Sequence, residues 1–334
     1  MTRPSLPAPR GPLSEFVIGR LRAPDVPSAV PGPERSCDPL SDDDFALALY
    51  VAYELHYRGF AGVDEELEWD PGLLAFRSEL ERAFLDRLSE ECGSPPGSGD
   101  GVESDLQHLI DNAGGPALSA YMAQRGTLSE IREFAVHRSA YQLKEADPHT
   151  WTIPRLEGST KAALVRIQAD EYGDGVTRHM HQQLFVETMK ALGLDPTYGA
   201  YLDALPGTTL ATVNLITLFG LHRRWRGALV GNLAVYEMTS VVPMGRYSSA
   251  LERLGVTTGA REFYDVHVEA DAEHQLIALH DLAGGLARDE PERYADIMFG
   301  ARATLDVEAR FAQHMLDSWA SGSTSLRRQI ASAA

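Results

Sequence analysis

The sequence predicts an all-α protein, a helical bundle without a core sheet. Three observations carry this. Long segments repeat apolar residues at helical spacing, and short turns such as LPGTT and RDEP separate them. No stretch alternates strongly enough to build a sheet, and there is no glycine-rich phosphate loop or internal repeat. Ionisable residues also recur inside otherwise apolar helical runs, a pattern that needs several helices facing one another.

Along the chain, residues 1–39 are proline-rich without sustained periodicity and are expected to form an irregular arm. From Asp42, DDDFALALYVAYELHYRGF places acids at a helix start and apolar groups at helical spacing, and Gly59 ends it. A second helix is expected over 73–91, and GSPPGSGDG (93–101) reads as a flexible break. Residues 40–101 are therefore an expected helical appendage and linker, or the first layer of the main domain. The apolar girth of ALALYVAYELHYRGF suggests a homodimer interface there, or simple packing over the bundle. The main domain, 102–322, is expected to hold helices near 102–111, 117–124, 127–147, 158–192, 208–220, 223–240, 245–254, 257–284 and 288–320. Residues 323–334 form a tail.

Composition narrows the function. A formal net charge of -18 repels phosphate backbones and anionic membrane surfaces, so neither nucleic acid nor membrane is an expected partner. No apolar run approaches the roughly 20 residues of a spanning helix, and the N-terminus lacks the apolar core of a signal peptide. Cys37 and Cys92 are the only cysteines, which fits a reducing, cytoplasmic setting. Any bound metal must be held by nitrogen and oxygen.

The most informative stretch is HVEADAEH (267–274). At about 100° per residue, His267, Asp271 and His274 share one narrow arc of a helix, while Glu269 and Glu273 point elsewhere. Two imidazoles and a carboxylate on one face suit a borderline or hard transition metal. Three further segments place ionisable groups in apolar surroundings: HRSAYQLKEADPHTW with Glu145, ALVRIQADEYGDGVTRHMHQQLF with Glu171 and His181, and ALVGNLAVYEMTS with Glu237. A buried glutamate is costly unless paired or bound to a cation. The plainer alternatives are a salt bridge from Glu237 to Arg223, Arg226 or Arg246, and charge balance of Glu145 beside Lys144 and Arg138. Together the four segments supply four carboxylates and three imidazoles, too many for one zinc and suited to a di-iron carboxylate site inside a bundle.

On the DEYGDG…H…LF run, HVEADAEH, and their order and separation, the chain resembles the haem-oxygenase-like di-iron oxidases and oxygenases over roughly residues 105–320. Its pattern is most similar to the N-oxygenase-type members. The resemblance implies Glu171, His181, Glu237, His267, Asp271 and His274 as iron ligands, and Glu145 as the extra carboxylate of the N-oxygenase type. It further implies two iron ions, dioxygen as cosubstrate, and an external reductant or electron-transfer partner. Oxidation of the nitrogen of an amine, amino acid or guanidine is the implied reaction. N-oxygenases with an added cupin domain rearrange the oxidised nitrogen. The sequence after Ala320 leaves no room for one, so a hydroxylated or more oxidised nitrogen is expected as product. The alternatives are C–C cleavage, decarboxylation or desaturation of an amino acid or fatty acid, and a non-catalytic helical partner protein.

One spacing needs explanation. Glu171 and His181 are ten residues apart, about 15 Å along a straight helix, so a bend near Gly173 and Gly175 is expected. Asp174 is the rival carboxylate, and His179 points away from His181. Tyr141, Gln142, Tyr172, Tyr236 and Arg246 are candidates to line a substrate pocket.

Overall fold

The computed structural model describes residues 3–24, 30–32, 37–93 and 101–330, and these form an all-α bundle with no strand among them. In chain order the helices are α1 (Pro12–Arg22), α2 (Asp43–Glu54), α3 (Pro71–Cys92), α4 (Val102–Asn112), α5 (Leu118–Arg125), α6 (Leu128–Gln142) and α7 (Asp147–Thr150). They continue as α8 (Gly158–Glu171), α9 (His181–Ala191), α10 (Gly207–Leu221), α11 (Arg226–Arg253), α12 (Glu262–Leu276), α13 (Gly284–Asp289) and α14 (Tyr294–Ala320). A π-helical segment, Ile277–Ala283, joins α12 to α13. No helix among the described residues is long and apolar enough to cross a membrane.

The arm expected to be irregular contains α1. Leu13, Val17, Ile18 and Leu21 form one buried face against α2. Its N-terminus is capped from a distance: the Asp44 carboxylate accepts from the backbone N–H groups of Leu13 and Ser14, each at 2.8 Å. The N-cap position itself is Gly11, which offers no side chain, so the local start signals are Pro12 at the first helical position and Glu15 in the first turn. The stretch 94–100 of the expected linker lies outside the described residues.

The segment expected as an appendage or as the first layer of the main domain shares the main core. Asp42 caps α2 through Asp44 N and Phe45 N, and α1, α3 and α10 cover the helix. Its apolar circumference is thus covered within the chain. Part of the expected tail also packs: Ser325 and Leu326 are buried, and Glu133 accepts from Ser325 N at 2.9 Å.

The helices that carry the site are fixed by two close approaches. Where α11 crosses α14, a Cβ on Gly231 would lie 1.9 Å from the Ile297 carbonyl oxygen, and one on Gly300 would lie 1.9 Å from that of Ala228. Only glycine lets these backbones touch. Residues 223–240 and 245–254, expected as two helices, are one continuous α11 that passes through Pro243, held by packing against α12 and α14. Conversely, the single helix expected over 158–192 is broken after Glu171, and the one over 127–147 ends at Gln142.

Candidate metal centre

Glu171 closes α8 and His181 opens α9. Between them run two short 3-10 turns, Gly173–Gly175 and Thr177–His179, with Gly173, Asp174 and Gly175 all at positive φ. The chain therefore doubles back. Nδ1 of His181 lies 2.9 Å from Oε2 of Glu171. Gly173 makes this possible, because a Cβ there would sit 2.5 Å from Met180 N and His179 C. Asp174, the rival carboxylate, is exposed at the tip of the turn, and His179 is exposed as well.

Glu145 is not helical. It sits in the turn between α6 and α7, just before Ala146 at φ 70, a conformation that costs an L-residue energy unless its surroundings enforce it. They do: Gln168 Nε2 donates to the Ala146 carbonyl at 3.0 Å, and Arg58 Nη2 donates to that of Leu143 at 2.8 Å. The turn sends neighbouring side chains opposite ways. Lys144 is buried against Glu54 at 3.1 Å, while Glu145 enters the site with Oε1 3.5 Å from His267 Nε2.

On α12, His267 and His274 are buried and hold defined ring orientations. His267 Nδ1–H donates to the Phe263 carbonyl at 2.6 Å, which leaves Nε2 facing Glu145. His274 Nε2–H donates to Asp170 at 2.8 Å, which leaves Nδ1 3.5 Å from Glu237 and 3.6 Å from Asp271. Asp271 in turn accepts from Ser240 Oγ at 2.5 Å.

The donor atoms fall into two groups. Those of Glu145, Glu171, His181 and His267 lie within 4.8 Å of one another, as do those of Glu171, Glu237 and His274. Glu171 belongs to both. Asp271 falls outside both groups and joins the second through His274. Glu237 makes no pair with the arginines proposed for it: Arg226 pairs with Glu290, and Arg246 donates to Ser119. Arg138 pairs with Glu308 and Lys144 with Glu54, so neither balances Glu145.

These residues fit a pair of cations. Glu145 Oε2 and His274 Nδ1 are buried without a hydrogen-bond partner, and Glu171 Oε2 and His181 Nδ1 face each other at 2.9 Å outside hydrogen-bond geometry. Four such donor atoms gathered at one place are what ligand atoms show before a metal is added. Burial pushes the Glu237 carboxyl up to about 8 and also raises Glu145. Burial acts the same way on Glu171, but His181, His267 and His274 outweigh it and hold that carboxyl down to about 2. Burial would lower the imidazoles; instead Glu145 lifts His267 to about 10, and Asp271 with Glu237 lifts His274 to about 11. Without metal, protons stand where cations would neutralise the carboxylates.

The centre opens onto a cavity of about 390 Å³, walled by Phe134, Tyr141, Tyr236, Tyr247, Phe263 and Tyr264. Tyr141, Gln142 and Tyr236 line it as the sequence suggested. Tyr172 instead donates to Asp147, and Arg246 is exposed. Sequence reasoning missed three features. Arg138 and Glu308 pair bidentately in the cavity wall, at 2.9 and 2.7 Å, with no local signal across 170 residues. Ser240, one turn beyond Glu237, could have been found from i,i+3 spacing. Asp170 was overshadowed by its neighbour Glu171.

The all-α fold and the buried His/Glu clusters fit an iron-containing redox enzyme. Residues 132–309, more than half of the chain, match the iron-containing redox enzyme family, and the protein belongs to it. It is thereby an oxidoreductase. Among curated proteins it is similar to the nitrosourea synthase of Streptomyces achromogenes subsp. streptozoticus, with 25% identity over 209 residues. That alignment covers 60% of this chain and 44% of the relative, so the chain spans less than half of that enzyme's length.

Proposed function

We propose that this protein is a di-iron, dioxygen-dependent oxygenase that oxidises the nitrogen of an amine, amino acid or guanidine. The observation that carries the reading is the pair of buried donor groups sharing Glu171. One iron would be held by Glu145, Glu171, His181 and His267, and the other by Glu171, Glu237 and His274 with Asp271 beside it. When bound, the irons supply the one-electron chemistry with dioxygen that side chains lack. An external donor returns the electrons, because no flavin, nicotinamide or iron–sulfur motif is present in the sequence.

The chain's own residues do the rest. Phe263 and Ser240 fix His267 and Asp271 in orientation. The aromatic wall gives the centre a largely apolar flank whose rings suit a cationic or neutral nitrogen. Charge in the wall supports nitrogen over a simple carboxylate as substrate. Among the described residues, Arg138 is the one lysine or arginine lining the cavity, and Glu308 engages it through two hydrogen bonds. A fatty acid entering here would have to compete with Glu308 for its counter-ion. The similarity to a nitrosourea synthase, an enzyme named for a nitrogen-oxygenated product, points the same way.

Anaerobic Fe(II) titration followed by exposure to oxygen with a panel of amines, guanidines and fatty acids tests this. Two irons per chain are expected, with gain of oxygen on a nitrogen-bearing compound by mass spectrometry. His274→Ala should bind fewer. A single iron in the wild type, or turnover only of fatty acids with loss of a fragment, would overturn the proposal.

A further inference from the structure

We infer that Asp170 is a positioning residue that makes the second metal position, the one built on His274, selectively stronger; this rests on the two-metal reading above. His274 is 1% exposed, and its two ring nitrogens have opposite surroundings. Nε2 lies 2.8 Å from Asp170 Oδ2. Nδ1 has no hydrogen-bond partner and faces Glu237 and Asp271. An ionised carboxylate can only accept, so Asp170 requires the proton on Nε2 and leaves the Nδ1 lone pair for a cation. Without it, the ring is free to carry its proton on Nδ1, where an N–H would point at the cation's place.

The arrangement differs from that of His267. There the orienting acceptor is the neutral carbonyl of Phe263, one turn back on the same helix, and it persists whatever side chains are changed. For His274 the acceptor comes from another helix and carries charge, which raises the ring's donor strength as well as fixing its tautomer. Asp170 and Glu171 are consecutive at the end of α8. One turn of that helix therefore supplies the carboxylate shared by both donor groups and the anchor for one histidine. The Asp170 side chain is 47% exposed, so its replacement removes no core packing.

The test is anaerobic titration of the full chain with Fe(II), and with Co(II) read by its ligand-field absorption, for the wild type, D170A and D170N. The wild type should take two equivalents. D170A should keep the first and bind the second about 10–100-fold more weakly, with altered Co(II) bands for that equivalent alone. D170N, whose amide oxygen still accepts from Nε2–H without the charge, should fall between them. Unchanged affinity and bands in D170A overturn the inference, and so does equal loss of both equivalents, which would mark a general structural role. A wild type that takes only one equivalent defeats the two-metal reading itself.

Discussion

Replacing Gly173 by alanine tests whether the folded-back chain between α8 and α9 builds the metal centre. Gly173 sits at φ +61, and a Cβ there would lie 2.5 Å from His179 C and Met180 N. Ordinary contact begins near 3.4 Å, so the shortfall is about 0.9 Å. The two nearest atoms are backbone and the third is the His179 Cβ at 2.8 Å, so no side chain can swing aside. His181 follows directly, and its Nδ1 must move with them relative to Glu171. Metal–ligand distances tolerate only about 0.2 Å. The variant should therefore lose affinity at the position shared by Glu171 and His181. Gly175 is the control. It is also left-handed, at φ +78, but nothing lies within 4 Å of its would-be Cβ. G175A should cost only the conformational strain, about 1–2 kcal/mol. G173A should cost about 1–3 kcal/mol more, from overpacking. Chemical denaturation of the metal-free proteins gives the stability difference, and anaerobic Fe(II) titration gives the affinities. Equal stability losses in the two variants, with iron binding intact in G173A, would refute the reasoning.

Other outcomes follow from the same geometry. Glu145→Gln should retain both irons yet lose most oxygen transfer to nitrogen; product yield equal to wild type, by mass spectrometry, would return Glu145 to a structural role. Glu308→Gln should leave Arg138 without its anion, and a medium-chain carboxylate should then bind the cavity about tenfold or more tighter, the scale of a charge-assisted hydrogen bond; isothermal titration showing no gain would remove the charge argument for a nitrogen substrate. Stability should fall on acidification partly through His137. Burial holds its pKa well below the usual value, with His314 and Arg138 adding to the effect, between hydrogen bonds to Thr209 and Ser325. The native state keeps it neutral while the unfolded chain takes up a proton below about pH 6.5, so its contribution is present above that pH and lost below it. The loss grows as pH falls from 7 to 5, and the unfolding free energies of wild type and His137→Gln should converge over that range; a constant difference between them would remove His137 from the acid response.

What was legible in the sequence was what helical geometry alone determines. His267, Asp271 and His274 share a face because 3.6-residue periodicity puts them there, and α12 has the expected helix. The bend between Glu171 and His181 was signalled by Gly173 and Gly175, although two 3-10 turns and a new helix replace the bend. What was hidden depends on distant partners. The turn holding Glu145 is pinned by Arg58 and Gln168, and α1 is capped by Asp44 on α2. The girth of α2, suggestive of a second chain, is explained by neighbours in its own. Apart from Pro12 at the start of α1, these features have no marker at their own positions, because each cause lies tens of residues away.

The arrangement also bears on whether the protein is a catalyst or merely a helical scaffold. Elsewhere in this bundle carboxylates meet a lysine or an arginine: Glu54 with Lys144, Glu308 with Arg138, Glu81 with Arg77. At the centre the practice changes. Glu145, Glu171, Glu237 and Asp271 come together without a lysine or arginine among them, on four separate segments, and each of the first three lies within reach of a ring nitrogen. Several of those atoms are left without hydrogen bonds. Assembling four buried carboxylates costs several kcal/mol per charge unless cations neutralise them. The positive φ of Ala146 and the tight turn at Gly173 hold two of them in place at further cost. Such expense is physically coherent where a pair of divalent ions completes the site, and where a cavity of about 390 Å³ beside it gives those ions something to act on.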